Sequence, residues 1–203
     1  MMTRTRCILP PEWAGKPVET EKAGWPVIER FDPAENDFQT GLTDLTHRPK
    51  AALFGPGLKK YGDLKPGQAL WTGQGCLCLA KPGEGVLFDL LGPADQSLPP
   101  EATDMTEAWV LFGLWGAKAI AALQRLFPID VDRPGTREPF YLITRWHALI
   151  VQLVNLKRPG TGFLLATDRS HGQNLYDGLI HAGRHLGLKP VGLKLWEEWI
   201  NIP

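Results

Sequence analysis

The stretch LAKPGEGVL at residues 79–87 recurs later in the chain as LKRPGTGFL at residues 156–164. In both copies an apolar segment enters a Pro-Gly-x-Gly turn and a second apolar segment leaves it, a pattern typical of a β-hairpin. A second match joins ALFG at residues 52–55 to VLFG at residues 110–113. Because the two matches keep the same order, the sequence predicts a duplicated unit of strand, helix and hairpin.

The alternative is that such short turn sequences recur by chance, because turn chemistry is degenerate. The second copy carries an insertion that predicts a helix over residues 115–127, and a further helix is predicted over 171–186. Residues 90–102 are rich in Pro and Gly and predict a loop. Paired units would bury faces that neither could bury alone. The predicted fold class is α+β, with antiparallel or mixed sheets and packed helices.

The first 40 residues differ from the remainder in pattern. They are interrupted repeatedly by Pro and Gly and show no sustained periodicity. We expect residues 1–40 to form an extended, Pro-rich N-terminal arm and residues 41–203 to form one α+β domain.

Composition excludes several function classes. The 22 basic and 22 acidic side chains balance, and no basic stripe follows a predicted helix, so we expect no nucleic-acid partner. No apolar run approaches the ~18 residues of a membrane span, so we expect no membrane association. The three cysteines, with only a short apolar stretch near the N-terminus, favour a reducing compartment and therefore the cytoplasm.

The motifs of common catalytic and metal sites are incomplete. Cys76 and Cys78 would share a strand face, with Cys7 or His47 as further ligands, but the spacing is not C-x-x-C. His181 and His185 lack the glutamate of H-E-x-x-H. No G-x-S-x-G elbow, phosphate loop or dinucleotide fingerprint occurs. We therefore expect neither a metal site nor a catalytic site of the chain's own.

Five segments resemble the glycine-cleavage T-protein (aminomethyltransferase) superfamily. GLTDLTH at 41–47 precedes an apolar strand that ends on FGP at 54–56, and this order is similar to the family's opening. RPGTGF at 158–163, the predicted helix and GLKPVGL at 187–193 resemble the end of its folate-binding portion. The resemblance spans about residues 41–199 and implies that family's α+β fold. By size, the chain is similar to the gamma subunits of heterotetrameric sarcosine oxidases, which are short members of this superfamily.

The chain departs from the family pattern where the family carries out its chemistry. Thr161 stands where the family has a glutamate that grips the pterin, and residues 75–80 contain no acid. The arginine expected within residues 194–199 is also missing. A transferase without its carboxylate cannot stabilise a cationic amine in the usual way. The resemblance therefore implies a non-catalytic assembly subunit of a flavin- and folate-linked complex that demethylates an N-methyl amine oxidatively.

The resemblance also implies partners and cofactors. The partners would be larger flavoprotein subunits of a hetero-oligomer, and FAD, FMN, NAD and tetrahydrofolate would be bound there and not by this chain alone. The alternative is a free-standing folate-binding protein or tetrahydrofolate-dependent methyl or aminomethyl transferase whose acids have moved to Asp89, Asp104 or Glu107.

Two groups of residues are candidates for function. A surviving folate-like pocket would be formed by Asp44, His47, Arg158 and Thr161. Tryptophan is enriched at interface hot spots, and the chain has eight. The expected partner interface contains Trp13, Trp25, Trp196 and Trp199.

Overall fold

The computed structural model describes residues 9, 15–32, 37–55, 58, 63–92, 102–132, 138–158 and 161–201. In chain order the strands are β1 (Lys16–Lys22), β2 (Trp25–Asp32), β3 (Thr40–Asp44), β4 (Lys50–Phe54), β5 (Ala69–Trp71), β6 (Gly75–Lys81), β7 (Glu84–Asp89), β8 (Ala102–Asp104), β9 (Trp109–Trp115), β10 (Phe140–Trp146), β11 (Leu149–Asn155), β12 (Gly162–Asp168) and β13 (Leu188–Pro190). The α-helices are α1 (Ala119–Gln124), α2 (Gly172–Gly183) and α3 (Leu193–Ile200).

Two sheets form the body of the molecule. The six-stranded sheet has the order β10-β11-β12-β9-β3-β13, and the five-stranded sheet has the order β5-β6-β7-β4-β8. All pairings in both sheets are antiparallel except that of β13 with β3. One apolar core lies between the sheets, and a second lies between the six-stranded sheet and helices α1 and α2. The α+β fold class is confirmed.

The predicted duplication is present in the strand order. Strands β5-β6-β7-β4 in one sheet correspond to β10-β11-β12-β9 in the other, and each set is completed by a strand from the opposite half of the chain. The exchange is symmetrical, because Leu45 N donates to Leu111 O and Met105 N donates to Lys50 O, each at 2.8 Å. Neither half can complete its sheet alone.

The structural register of the repeat differs from the one that the sequence match indicates. Asp44 pairs with Phe112 and Asp104 pairs with Ala51, so Ala51 is the equivalent of Phe112. The ALFG and VLFG matches instead align Phe54 with Phe112, a shift of three residues. A match of apolar residue types within a strand does not define the register of that strand, which is defined by its hydrogen-bond pairing.

The helices agree with the predicted positions but not with all predicted lengths. Helix α1 is shorter than the predicted 115–127, because Trp115 still belongs to β9 and Gly116 turns the chain at φ +114°. Helix α2 is followed by a 3₁₀ turn over Arg184–Leu186, and this turn ends at Gly187, whose φ is +73°. The predicted loop over 90–102 ends in β8, and its residues 93–101 lie outside the described part of the chain.

The predicted N-terminal arm is wrong for residues 16–32, which form the β1–β2 hairpin. Trp25, Val27 and Phe31 of β2 are each only 3% exposed, and the hairpin packs against α3. Pro26 and Pro33 suggested an open chain, but they conceal a two-residue alternation that buries one side of β2. The domain boundary at residue 40 stays a prediction.

Helix α3 inserts two indoles into the core between the sheets. Trp196 and Trp199 lie three residues apart on the helix, and Trp199 stacks on Trp115 of β9 with ring centroids 5.5 Å apart. The sheet beneath them carries glycines: a Cβ on Gly113 would come within 2.5 Å of the Trp196 ring, and one on Gly162 would overlap the Trp199 ring. Glycine at these two positions therefore leaves room for the helix.

We predict that Gly162→Ala lowers the free energy of unfolding by about 2–3 kcal/mol, because the added methyl collides with Trp199. In a Trp199→Leu background the same substitution should cost less than about 1 kcal/mol, because the collision is gone. Urea unfolding of the four proteins in this double-mutant cycle measures both values. Equal costs in the two backgrounds would show that Gly162 does not make room for the indole.

Candidate functional site

The tryptophans expected at a partner interface are core residues. Trp25, Trp196 and Trp199 are 3%, 0% and 7% exposed, so the structure corrects their assignment to an interface. Tryptophan has a large apolar surface to bury. Here the three indoles belong to the apolar core that lies between the two sheets. Trp13 lies outside the described residues.

The four residues of the expected folate-like pocket fall into two separate pairs. Asp44 and His47 lie at the β3–β4 turn, where Asp44 pairs with Phe112. Arg158 and Thr161 lie at the β11–β12 turn, next to the pairing of Gly162 with Trp115. Three residues of β9 separate the two levels, which is about 10 Å along the strand, and the pairs also lie on different strands. These residues do not line one pocket.

The carboxylates near the first pair are engaged in turns. Asp44 Oδ1 accepts a hydrogen bond from Thr46 N at 2.9 Å, and its repeat equivalent Asp104 accepts one from Thr106 N at 2.8 Å. Asp89, another candidate for a displaced acid, accepts from Gly92 N at 2.7 Å. This is the ordinary use of aspartate beside a turn.

Asp44 also lines a small cavity. The cavity has a volume of about 20 Å³ and is lined mainly by apolar side chains, among them Leu42, Phe31 and Val191. That volume holds about one water molecule and is far below the few hundred Å³ of a typical small-molecule site. A pterin ring does not fit there.

The second pair contacts neighbouring parts of the two sheets. The Arg158 guanidinium lies 4.5 Å from the ring centroid of Trp71, a cation–π contact. Thr161 has a φ of +60° and its carbonyl accepts a hydrogen bond from Gly116 N at 3.0 Å. Thr161 thus links β12 to the end of β9.

A buried charge cluster, which the sequence did not indicate, connects the β3–β4 turn to α3. Arg48 is 6% exposed, and its guanidinium donates to Glu197 Oε1 at 2.6 Å and to Gly92 O at 2.8 Å. Lys22 of β1 lies 3.6 Å from the same Glu197 oxygen. Because the partners are far apart in sequence, no local motif could have revealed the cluster.

Two further basic side chains beside Arg48 are buried. His47 is 3% exposed, and burial, reinforced by the charges of Arg48, Lys22 and Lys50, lowers its pKa to about 3. Lys50 is fully buried, and its Nζ donates to the carbonyls of Thr46 at 2.7 Å and Arg48 at 2.9 Å. Burial lowers the pKa of Lys50 to about 7. The Lys50 ammonium therefore stabilises the β3–β4 turn, at which the two halves of the duplication exchange strands.

The cysteines and histidines weighed as metal ligands are dispersed. The Sγ atoms of Cys76 and Cys78 lie 4.0 Å apart in the core, where burial raises the pKa of the Cys78 thiol well above its usual range. His181 and His185 are exposed on and just after α2. Within the described ranges no three metal-ligating side chains come together, and Cys7 lies outside those ranges.

Comparison with known proteins relates the chain to a solved structure and not to a sequence family. No family model and no curated protein sequence matches it. The fold is similar to that of a chain in the heterotetrameric sarcosine oxidase from Corynebacterium sp. U-96 in complex with pyrrole 2-carboxylate, with a TM-score of 0.59 and 16% identity. The match covers 78% of this chain and 90% of that one. Among the described helices, none is long and apolar enough to cross a bilayer.

We predict that Glu197→Gln lowers the free energy of unfolding by about 2 kcal/mol, because it leaves the buried Arg48 charge without its counterion. Glu198→Gln is the matched control, since Glu198 is exposed on the same helix, and should change stability by less than about 0.5 kcal/mol. Chemical denaturation at pH 7 compares the two. Indistinguishable midpoints would contradict a stabilising role for the Arg48–Glu197 pair.

Acid sensitivity should depend on His47. Its pKa is about 3 in the folded chain against 6.5 for a free histidine. At pH values between about 3 and 6.5 the unfolded chain therefore binds one more proton, at His47, than the folded chain does. Stability therefore falls as pH decreases from about 6.5 towards 3, by up to about 4 kcal/mol. We expect His47→Gln to flatten the pH dependence of the urea midpoint, whereas His185→Gln, at an exposed site, leaves the wild-type slope.

Proposed function

We propose that this chain is a non-catalytic subunit of a sarcosine oxidase-type complex. The observation that carries the proposal is the fold shared with one chain of a heterotetrameric sarcosine oxidase over most of both chains. In the proposed complex, larger flavoprotein subunits remove two electrons from an N-methyl amine, and tetrahydrofolate accepts the one-carbon unit. FAD, FMN, NAD and tetrahydrofolate belong to those partners, and the complex is cytoplasmic.

The alignment coverage of the two chains supports assignment to the gamma subunit. The same alignment covers 90% of the matched chain and 78% of this one, so the matched chain is the shorter of the two. A chain of that length fits the short gamma subunits rather than the larger flavoprotein subunits. The proposed role is therefore that of the small folate-fold subunit.

The structural use of the described candidate residues supports the proposed structural role. Trp196 and Trp199 occupy the space between the sheets, and Asp44, Asp89 and Asp104 hold turns. Catalysis of one-carbon transfer needs a preorganised polar group facing a substrate-sized cavity. The cavity beside Asp44 has room for about one water molecule.

Affinity purification from the native host tests this proposal. We expect the tagged full-length chain to recover larger chains in fixed stoichiometry, with the yellow absorption of flavin and with sarcosine-dependent reduction of that flavin. Native mass spectrometry gives the stoichiometry.

The alternative, a free-standing folate-binding protein or tetrahydrofolate-dependent methyl or aminomethyl transferase, predicts a different outcome. It requires a colourless particle with the mass of one chain that binds tetrahydrofolate in a calorimetric titration. That combination would overturn the subunit proposal.

A further inference from the structure

The six-stranded sheet extends beyond the five-stranded sheet that covers its inner face. Strand pairing places Tyr141 of β10, Val154 of β11 and Leu164 of β12 side by side on that face, and all three are buried in the core between the sheets. On the same face of β10 and β11, the side chains that lie two and four residues closer to the β10–β11 turn are not buried in this core. Its isoleucines, Ile143 and Ile150, are 57% and 52% exposed.

We name this uncovered part of the sheet the shelf. It is formed by one complete row of side chains across strands β10, β11, β12 and β9 and by part of a second row. In the complete row, Arg145 pairs with Ile150, the β11–β12 register brings Ile150 beside Asp168, and Asp168 pairs with Trp109. The shelf residues are Trp109, Ile143, Arg145, Ile150, Gln152 and Asp168.

The shelf has the dimensions of one helix. Packed sheets lie about 10 Å apart, so the edge of the five-stranded sheet makes a step of about that height, and an α-helix with its side chains is 10–12 Å across. Four strands at about 4.8 Å spacing span roughly 15 Å, the length of a helix of about ten residues. A helix lying across the strands would continue the layer that the five-stranded sheet begins.

The charged side chains on the shelf define which charged side chains a bound helix must carry. Within the described part of the chain, Arg145 and Asp168 are exposed and make no ion pair, and the apolar Ile150 lies between them. They stand two strands apart, about 10 Å, which corresponds to about seven residues along a helix. The complementary helix carries an acid and a base one heptad apart, with aliphatic side chains between them.

A second copy of this chain does not supply such a helix. The described α-helices bury their apolar faces in their own cores, through residues such as Leu123 of α1, Leu179 of α2 and Trp196 of α3. The shelf covers on the order of 150 Å², far less than the roughly 800 Å² per partner of a stable dimer. It fits one element of a larger interface with a different chain.

We propose that the shelf binds an amphipathic helix of a larger partner subunit, with Arg145 facing a carboxylate and Ile143 and Ile150 packed against aliphatic side chains. This inference rests on the proposed function, because the partner is a subunit of that complex.

The test uses the tagged full-length chain expressed in the native host. A photo-cross-linking residue, p-benzoylphenylalanine, replaces Ile150, and in a matched control it replaces Phe54, which is 54% exposed at the end of β4. We expect the Ile150 probe to cross-link to one helical segment of a larger chain with the acid–base heptad spacing, and the Phe54 probe not to reach that segment. In parallel, Arg145→Glu should reduce recovery of the larger chains at least about tenfold.

Arg125→Glu is the charge-reversal control at an exposed site after α1, and it should leave recovery unchanged. Circular dichroism confirms that each variant is folded. Recovery of the wild-type complex with no cross-link from Ile150 and no effect of Arg145→Glu would overturn the shelf proposal alone. A cross-link from Ile150 to a second copy would overturn it in favour of self-association. Failure of the wild-type chain to recover any larger chain would overturn the proposed function and this inference with it.

Discussion

The fit of two indoles against glycines is the constraint on which the remainder of the structure depends. Trp196 and Trp199 of α3 lie between the sheets only because Gly113 and Gly162 leave no side chain beneath them. Once inserted, the helix places Glu197 beside the buried Arg48 and contacts the β1–β2 hairpin. The C-terminal helix therefore connects the duplicated halves, the β3–β4 turn and the N-terminal hairpin through one set of contacts.

The space between the two sheets is filled by side chains of the chain itself, among them Trp196 and Trp199. The exchange of β3 and β8 between the two halves keeps the chain in one cooperative unit, and the charge cluster at Arg48, His47 and Lys50 lies at that exchange. The aspartates weighed as candidate site residues accept hydrogen bonds from backbone amides at turns. On the surface, Ile143 and Ile150 of the six-stranded sheet are more than half exposed, and this exposure is the basis of the proposed contact with another subunit.

Much of the fold could be predicted from the sequence, because hairpin turns and helical periodicity are local signals. The LAKPGEGVL and LKRPGTGFL turns lie between β6 and β7 and between β11 and β12. The 3₁₀ turn that follows α2 ends at Gly187, the position that the helical spacing indicates. The repeat register was wrong because short apolar matches do not report hydrogen bonding. The β1–β2 hairpin was missed because Pro26 obscured its alternation. The burial of Trp25, Trp196 and Trp199 and the Arg48–Glu197 pair depend on contacts between distant segments, which no single sequence reports.

Hydrogen–deuterium exchange of the full-length chain tests most directly whether α3 is a part of the core. We expect the amides of residues 193–200 to open only with global unfolding, so that their opening free energy equals that of the central strands β9 and β12. Exchange from α3 at a markedly lower opening free energy, while β9 and β12 stay protected, would contradict a core position for α3. It would show that the helix is a detachable lid over an interior able to open.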